Sequence, residues 1–191
     1  MTLPPACLAV SPGTAGSPGF GRWLAGLAAA GWPAVVLREP ASSDVAALWR
    51  LTASAVPTVI LHAATPGAAA LAEREGLALH VPAWWPDRAA GRWAASVHGE
   101  AEADARLAAG ASWVVWAPVW APTSKPESRP PLGPERFLAY AAGRPVWALG
   151  GVTAPRATAL RRGGAAGIAV LGGLGPAGEH AGPLLAAWGG G

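Results

Sequence analysis

Two apolar runs near the C-terminal end each close on a pair of glycines, and few folds accommodate that arrangement. Val146-Trp147-Ala148-Leu149 runs into Gly150-Gly151, and Gly167-Ile168-Ala169-Val170-Leu171 runs into Gly172-Gly173. Between them Thr153 to Arg162 reads as a helix, with Thr153 at the N-cap, Pro155 in the first turn and Gly163-Gly164 as the stop. Strand, helix and strand within about thirty residues make a βαβ unit, so the two strands are expected to run parallel. Glycines at two neighbouring strand ends expose main-chain N–H groups on one rim, and such a rim suits an anion, most often a phosphate. In eight-stranded α/β barrels the loops after strands 7 and 8 are the usual phosphate site.

The remainder of the chain repeats the alternation. Strands are expected at Ala6–Val10, Ala34–Leu37, Pro57–Leu61, Leu77–Val81, Ala94–Val97 and Ser112–Trp116. Helices are expected at Ser17–Ala30, from a Ser42 or Ser43 cap to Ala55, and at Pro66–Glu75, Glu100–Ala109, Pro134–Ala142 and Pro176–Trp188. Pro82 to Arg92 is rich in Pro and Trp, so its helix is expected to be reduced. Eight strands in 191 residues leave about 24 residues per unit, short for this architecture but workable. The expectation is an α/β fold: one compact (β/α)8 TIM-barrel domain over residues 1–191. An open doubly wound sheet is the alternative; closure is favoured by strands of similar length and by polar residues gathered at strand C-termini.

Those polar residues are the candidate site. Arg38-Glu39 ends the second strand as a clamp or a structural ion pair, His62 the third, and Ser96 with His98 the fifth, both on one face by period two. His62, His98 and Glu39 are the candidates for proton transfer. His80, inside strand four, reads as core, and His180 as surface in the last helix. A long proline-rich loop over Ala117 to Gly133 carries Ser124 and Lys125, the single lysine in a chain that otherwise uses 13 arginines. A lone lysine suggests a need for a compact ammonium facing a phosphate or carboxylate. Gly150, Gly151, Gly172 and Gly173 would hold the phosphate. Most of the 11 tryptophans are expected in the core, with Trp84, Trp85, Trp116 and Trp120 on or near the rim as an aromatic wall.

Composition narrows the function. A net charge of +3 with no basic cluster beyond Arg161-Arg162 argues against nucleic acid. No apolar run reaches membrane-spanning length without Pro, Gly or charge. A single cysteine, Cys7, provides no disulfide framework and fits a reducing cytoplasm, and the N-terminal residues make a poor signal peptide. The four histidines lack metal-ligand spacing and no carboxylate cluster suits Mg²⁺, so neither metal nor cofactor is expected. A homo-oligomer is left open.

The chain resembles the thiamine phosphate synthase family, and more specifically its TenI-like branch. The resemblance is carried by Ser96-Val97-His98, Ala111-Ser112-Trp113-Val114-Val115, Ala117-Pro118-Val119-Trp120, Ser124-Lys125, Ala148-Leu149-Gly150-Gly151-Val152 and Gly164-Ala165-Ala166-Gly167-Ile168-Ala169-Val170. It implies a (β/α)8 barrel. It implies that Ser96 and Lys125 match pyrophosphate-holding residues, that Gly150, Gly151 and the residues after Leu171 form a thiazole-phosphate cup, and that Arg38 matches the arginine of a strand-two Gln-x-Arg-x-Lys motif. Synthase members use Mg²⁺; TenI-like members aromatise a carboxythiazole phosphate by tautomerisation, and some were first described as regulators.

Departures from the family pattern weigh against the synthase reaction. Val36 and Pro40 stand for the motif's Gln and Lys, His62-Ala63 stands for an Asn-Asp pair whose Asp binds magnesium, and Pro82 to Trp85 supplies no acid. The histidine base of TenI-like enzymes falls on Pro118. The expected function is a thiamin-biosynthesis protein that binds a thiazole phosphate and tautomerises a carboxythiazole phosphate. Binding or regulation without turnover, and residual synthase activity, are the alternatives.

Overall fold

The structure is a computed structural model that describes residues 3–42, 44–86, 89–121 and 130–189. Eight parallel strands close into a barrel in sequence order: β1 (Cys7–Val10), β2 (Ala34–Leu37), β3 (Thr58–His62), β4 (Leu79–Val81), β5 (Trp93–Val97), β6 (Trp113–Trp116), β7 (Val146–Leu149) and β8 (Gly167–Val170). β1 pairs with both β2 and β8, which completes the ring. Closure leaves no strand edge for another chain to pair with.

Helices cover the outside: α1 (Pro18–Ala29), α2 (Val45–Ala53), α3 (Ala68–Glu75), α4 (Glu100–Ala108), α5 (Pro134–Ala141), α6 (Ala154–Arg162) and α7 (Ala181–Trp188). Most boundaries fall within two residues of expectation; the exceptions have local causes. The cap of α2 is Asp44 rather than Ser42 or Ser43: its Oδ1 accepts the Ala47 N–H at 2.9 Å, and Ser43 lies outside the described residues. α7 begins at Ala181, not Pro176. Gly175 and Gly178 take φ of +77° and +72° there, and the loop packs so tightly on α1 that a Cβ at Gly26 would sit 2.1 Å from the Ala177 carbonyl oxygen. His180 therefore precedes the last helix, exposed as expected. No helix joins β4 to β5 among the described residues. That loop is tied down by Arg106 of α4, whose guanidinium donates to the carbonyls of Ala83 (2.9 Å) and Trp85 (2.8 Å).

Period two divides every strand between two cores. Outward residues such as Val35, Leu37, Val114 and Trp116 pack under the helices. Inward residues, among them Leu8, Val36, Ile60, Trp113, Val115 and Trp147, fill the barrel. The indoles of Trp113 and Trp147, 6.5 Å apart, occupy the N-terminal end. Trp147 Nε1 donates to the Pro5 carbonyl at 3.3 Å, and a Cβ on Gly167 would fall 2.0 Å from that nitrogen. The floor is thus filled by these two indoles, and a cavity opens towards the C-terminal ends of the strands.

The tryptophans follow the same division, with one correction to the expected rim. Trp116 points outward and is fully buried, edge-on to Phe137 and Tyr140 of α5, so it forms no part of an aromatic wall at the mouth. Trp84 is 73% exposed. No helix of the described residues is long and apolar enough to cross a membrane.

Candidate functional site

A cavity of about 1060 Å³ opens at the C-terminal ends of the strands. The inward parity that places Ile60 and Val115 in the barrel carries on past them, so the next inward positions line the cavity: Arg38 after β2, His62 on β3, His80 on β4, Ser96 on β5 and His98 just beyond it. The opposite wall is main chain from the two glycine turns, with Arg156 beside it. Gly150 and Gly172 thus border one space, although they belong to successive strand ends.

The histidines differ in what holds them. His62 is 6% exposed, and its Nδ1 accepts the Ala64 N–H at 3.1 Å, which leaves the proton of the neutral ring on Nε2. Burial, and secondarily the Arg38 charge, lowers its pKa to about 4, so the ring is neutral at pH 7. His80 stacks on it with ring centres 5.2 Å apart and planes 16° off parallel. Burial and then His62 push the His80 pKa down as well. Its Nε2 shares a 2.9 Å hydrogen bond with Ser96 Oγ, while Nδ1 is buried without a partner among the described residues. His98 is held twice: its main-chain N–H donates to Glu102 Oε2 at 2.8 Å, and its ring Nδ1 lies 2.7 Å from the Ala117 carbonyl oxygen. A carbonyl only accepts, so Nδ1 of His98 is the donor, and in the neutral ring the lone pair lies on Nε2.

Glu39 does not join them. Alternation turns Arg38 inward and Glu39 away, where its carboxylate accepts the N–H groups of Gly13 (3.0 Å) and Ala15 (2.8 Å). Its own N–H donates to Thr65 Oγ1 at 2.8 Å. The carboxylate anchors the β1–α1 loop instead of facing the cavity, and no Arg38–Glu39 ion pair forms among the described residues. Ser124 and Lys125 lie outside the described residues.

At the glycine wall, two needs coincide. Gly150 and Gly151 have φ of +105° and +62°, and Cβ atoms there would meet Pro118 at 2.9 Å and Trp120 Cβ at 2.8 Å. The β6 loop is drawn against them by Val119 N–H to Leu149 O (2.9 Å) and Trp120 N–H to Gly150 O (3.2 Å). Close packing therefore requires glycine here whatever binds. What packing does not use are the N–H groups of Gly151, Val152, Gly172 and Gly173, which no acceptor among the described residues takes. Thr153 stands at the N-cap of α6 as expected, yet its side chain makes no cap bond and lines the cavity. These amides, with the N-terminus of α6, make an electropositive wall.

Two cavity residues escaped the sequence reading. His80 was assigned to the core because it lies mid-strand; its parity with Ala78, inward in the barrel, was the available signal. Arg156 carried a weaker one, a cation in the first turn of a helix with no acid beside it. No Asp or Glu among the described residues lines the cavity, and no three His, Cys, Asp or Glu side chains converge there. A wall of imidazole, hydroxyl and guanidinium does not suit Mg²⁺, which takes oxygen ligands and usually one or two carboxylates.

No curated protein matches the chain. Among solved structures, thiamine phosphate pyrophosphorylase from Pyrococcus furiosus superposes with a TM-score of 0.70 at 16% identity, covering 95% of this chain and 94% of that one. The Bacteroides thetaiotaomicron thiamine phosphate pyrophosphorylase gives 0.67 at 19% identity, with 96% and 97% covered. A 3-hexulose-6-phosphate synthase gives 0.65 at 21% identity, with 94% and 98% covered. At these identities the likeness is one of fold. Residues 91–174, from the floor of β5 to the turn after β8, match the TMP-TENI family model, described as thiamine monophosphate synthase, so the barrel is thiamine-phosphate-synthase-like in fold and in the segment that carries the glycine wall.

Proposed function

We propose that this chain binds a thiazole phosphate in the barrel-mouth cavity and tautomerises a carboxythiazole phosphate, as TenI-like proteins do. The observation that carries the reading is His98: a ring fixed at Nδ1 by the Ala117 carbonyl, in the same cavity as the glycine-turn amides that no acceptor among the described residues takes. The phosphate would lie on those amides. His98 Nε2 would take the proton from the saturated ring carbon, the electrons would shift through the ring towards the exocyclic double bond, and the proton would be delivered to that exocyclic carbon, leaving an aromatic ring. The formula is unchanged, so no co-reactant is needed. Neutral His62 would donate its Nε2–H to the anionic intermediate, with Arg38 adding positive charge. Acid–base help of this kind contributes about 10²–10⁴-fold.

The test is aromatisation of the carboxythiazole phosphate, followed by ultraviolet absorbance. H98A should lose about 10²-fold or more in rate while still binding inorganic phosphate. If the wild-type protein gives no acceleration over buffer, the tautomerase reading fails. A second reading, binding without turnover, draws on Pro118 at the position of the family's histidine base. It expects saturable thiazole-phosphate binding that H98A leaves unchanged. The synthase reaction is disfavoured because the described cavity offers no carboxylate for the magnesium that synthases use.

A further inference from the structure

Arg156 is the third residue of α6, where a cation opposes the helix dipole, and the first turn holds no acid to offset it. The other basic residues of the helix, Arg161 and Arg162, sit in its last turn, where the dipole favours them. Arg156 is nevertheless held firmly. Its Nη1 donates to the Gly151 carbonyl at 2.6 Å, and its guanidinium lies 4.9 Å from the centre of the Trp120 ring. The three groups are packed so closely that a Cβ on Gly151 would meet Trp120 Cβ at 2.8 Å, the Ala121 carbonyl oxygen at 3.0 Å and Arg156 Nη1 at 3.1 Å.

The bond to Gly151 O has a consequence for the next atom along the chain. In a trans peptide the C=O and the following N–H point in opposite directions. Fixing the Gly151 carbonyl therefore fixes the Val152 N–H, one of the amides that lacks an acceptor among the described residues. Gly151, on the N-terminal side of that peptide plane, has positive φ and no side chain to resist its rotation. We propose that Arg156 is a positioning residue that locks the Gly151–Val152 peptide with its N–H turned into the cavity, so that this part of the anion wall is set before any ligand arrives. The inference rests on the phosphate reading of the glycine wall for its purpose, but the lock itself does not need a ligand.

Amide NMR on the whole protein separates the two. In the wild type, the Gly151 and Val152 resonances should be single and sharp, and Val152 should shift on titration with inorganic phosphate. R156A should broaden or split both resonances in the ligand-free protein and weaken phosphate binding by about tenfold or more, the size expected for losing a charged hydrogen bond. R156K, which keeps a cationic donor but loses the planar guanidinium over Trp120, should recover the resonances and the affinity in part, to a level between R156A and the wild type. Unchanged circular dichroism in R156A confirms that the barrel is intact; should R156A not fold, R156K against R156Q carries the same comparison. If R156A leaves both resonances sharp, or alters them with no loss of phosphate affinity, the proposal is overturned. If the wild type binds no phosphate while R156A still broadens Gly151 and Val152, the lock stands and the phosphate reading falls.

Discussion

Replacing Gly151 with alanine asks whether the glycine wall is held by backbone conformation alone or also by the loop packed on it. Two costs are expected. A residue with a Cβ at φ +62° pays about 1–2 kcal/mol for left-handed backbone. The new methyl would also lie 2.8 Å from Trp120 Cβ and 3.0 Å from the Ala121 carbonyl oxygen. Neither is the end of a flexible side chain, so the β6 loop must move, at an overpacking cost of about 1–3 kcal/mol. The same chain supplies its own control. Gly143 has φ +72° but nothing within 4 Å of the position a Cβ would take. G143A therefore pays the backbone cost alone, about 1–2 kcal/mol. Urea unfolding of the two variants should differ by about 1–3 kcal/mol, with G151A the weaker. In thermal melts a gap of that size corresponds to roughly 2–12 °C for a chain of this length. G151A should also lose affinity for inorganic phosphate, and G143A should not. Equal midpoints for the two variants would refute the reasoning, because they would mean that the loop contact exerts no force on the turn.

Acid should destabilise the barrel through its buried histidines. The His62 pKa falls from 6.5 to about 4 in the folded protein. The unfolded chain therefore binds the proton first, and stability present above pH 6.5 is lost as pH drops towards 4, by at most about 3 kcal/mol for a shift of this size. H62Q should flatten that part of a pH–stability profile, and an unchanged slope would remove His62 as its cause. E39Q should cost about 1–3 kcal/mol in urea unfolding, since an amide accepts more weakly than the carboxylate that holds the Gly13 and Ala15 N–H groups. It should leave the rate of any proton transfer in the cavity within about twofold after correction for folded fraction; a loss near 10²-fold would return Glu39 to the acid–base candidates.

What the sequence carried best was periodicity. Short apolar runs with glycine stops give strands and turns a regular spacing, and the closure of β1 on β8 follows from eight such units. The same logic placed Ser96 and His98 on one face. It also contained the answer for Arg38 and Glu39, since adjacent residues beyond a strand face opposite ways, but reading them as a single clamp hid it. His80 was hidden differently. A histidine flanked by Leu79 and Val81 reads as core, and only the ring of neighbouring strands reveals that its side of β4 opens on the cavity. Partners far apart in sequence were out of reach. The His80–Ser96 hydrogen bond and the grip of Arg156 on the β7 turn depend on how the strands and loops are brought together, which no local pattern records.

The two ends of the barrel show how one closed sheet serves stability and chemistry at once. At the floor, Trp113 and Trp147 spend their volume on filling space, and Gly167 gives up its side chain to admit the second indole. Two layers higher the same inward positions hold His62, His80, Ser96 and His98, none of which fills the space above it. A cavity this large above a well-packed floor is a loss of contact energy, and burying a neutral imidazole whose Nδ1 finds no partner among the described residues adds to that loss. Folding alone would favour aliphatic side chains in the upper layer, as it does at Ile60 and Val115 just below. The polar residues that stand there, on and just beyond the neighbouring strands β3, β4 and β5, are what a barrel optimised only for stability would not keep. Their cost, set against the filled floor, is the strongest physical argument that the mouth of this barrel is a site.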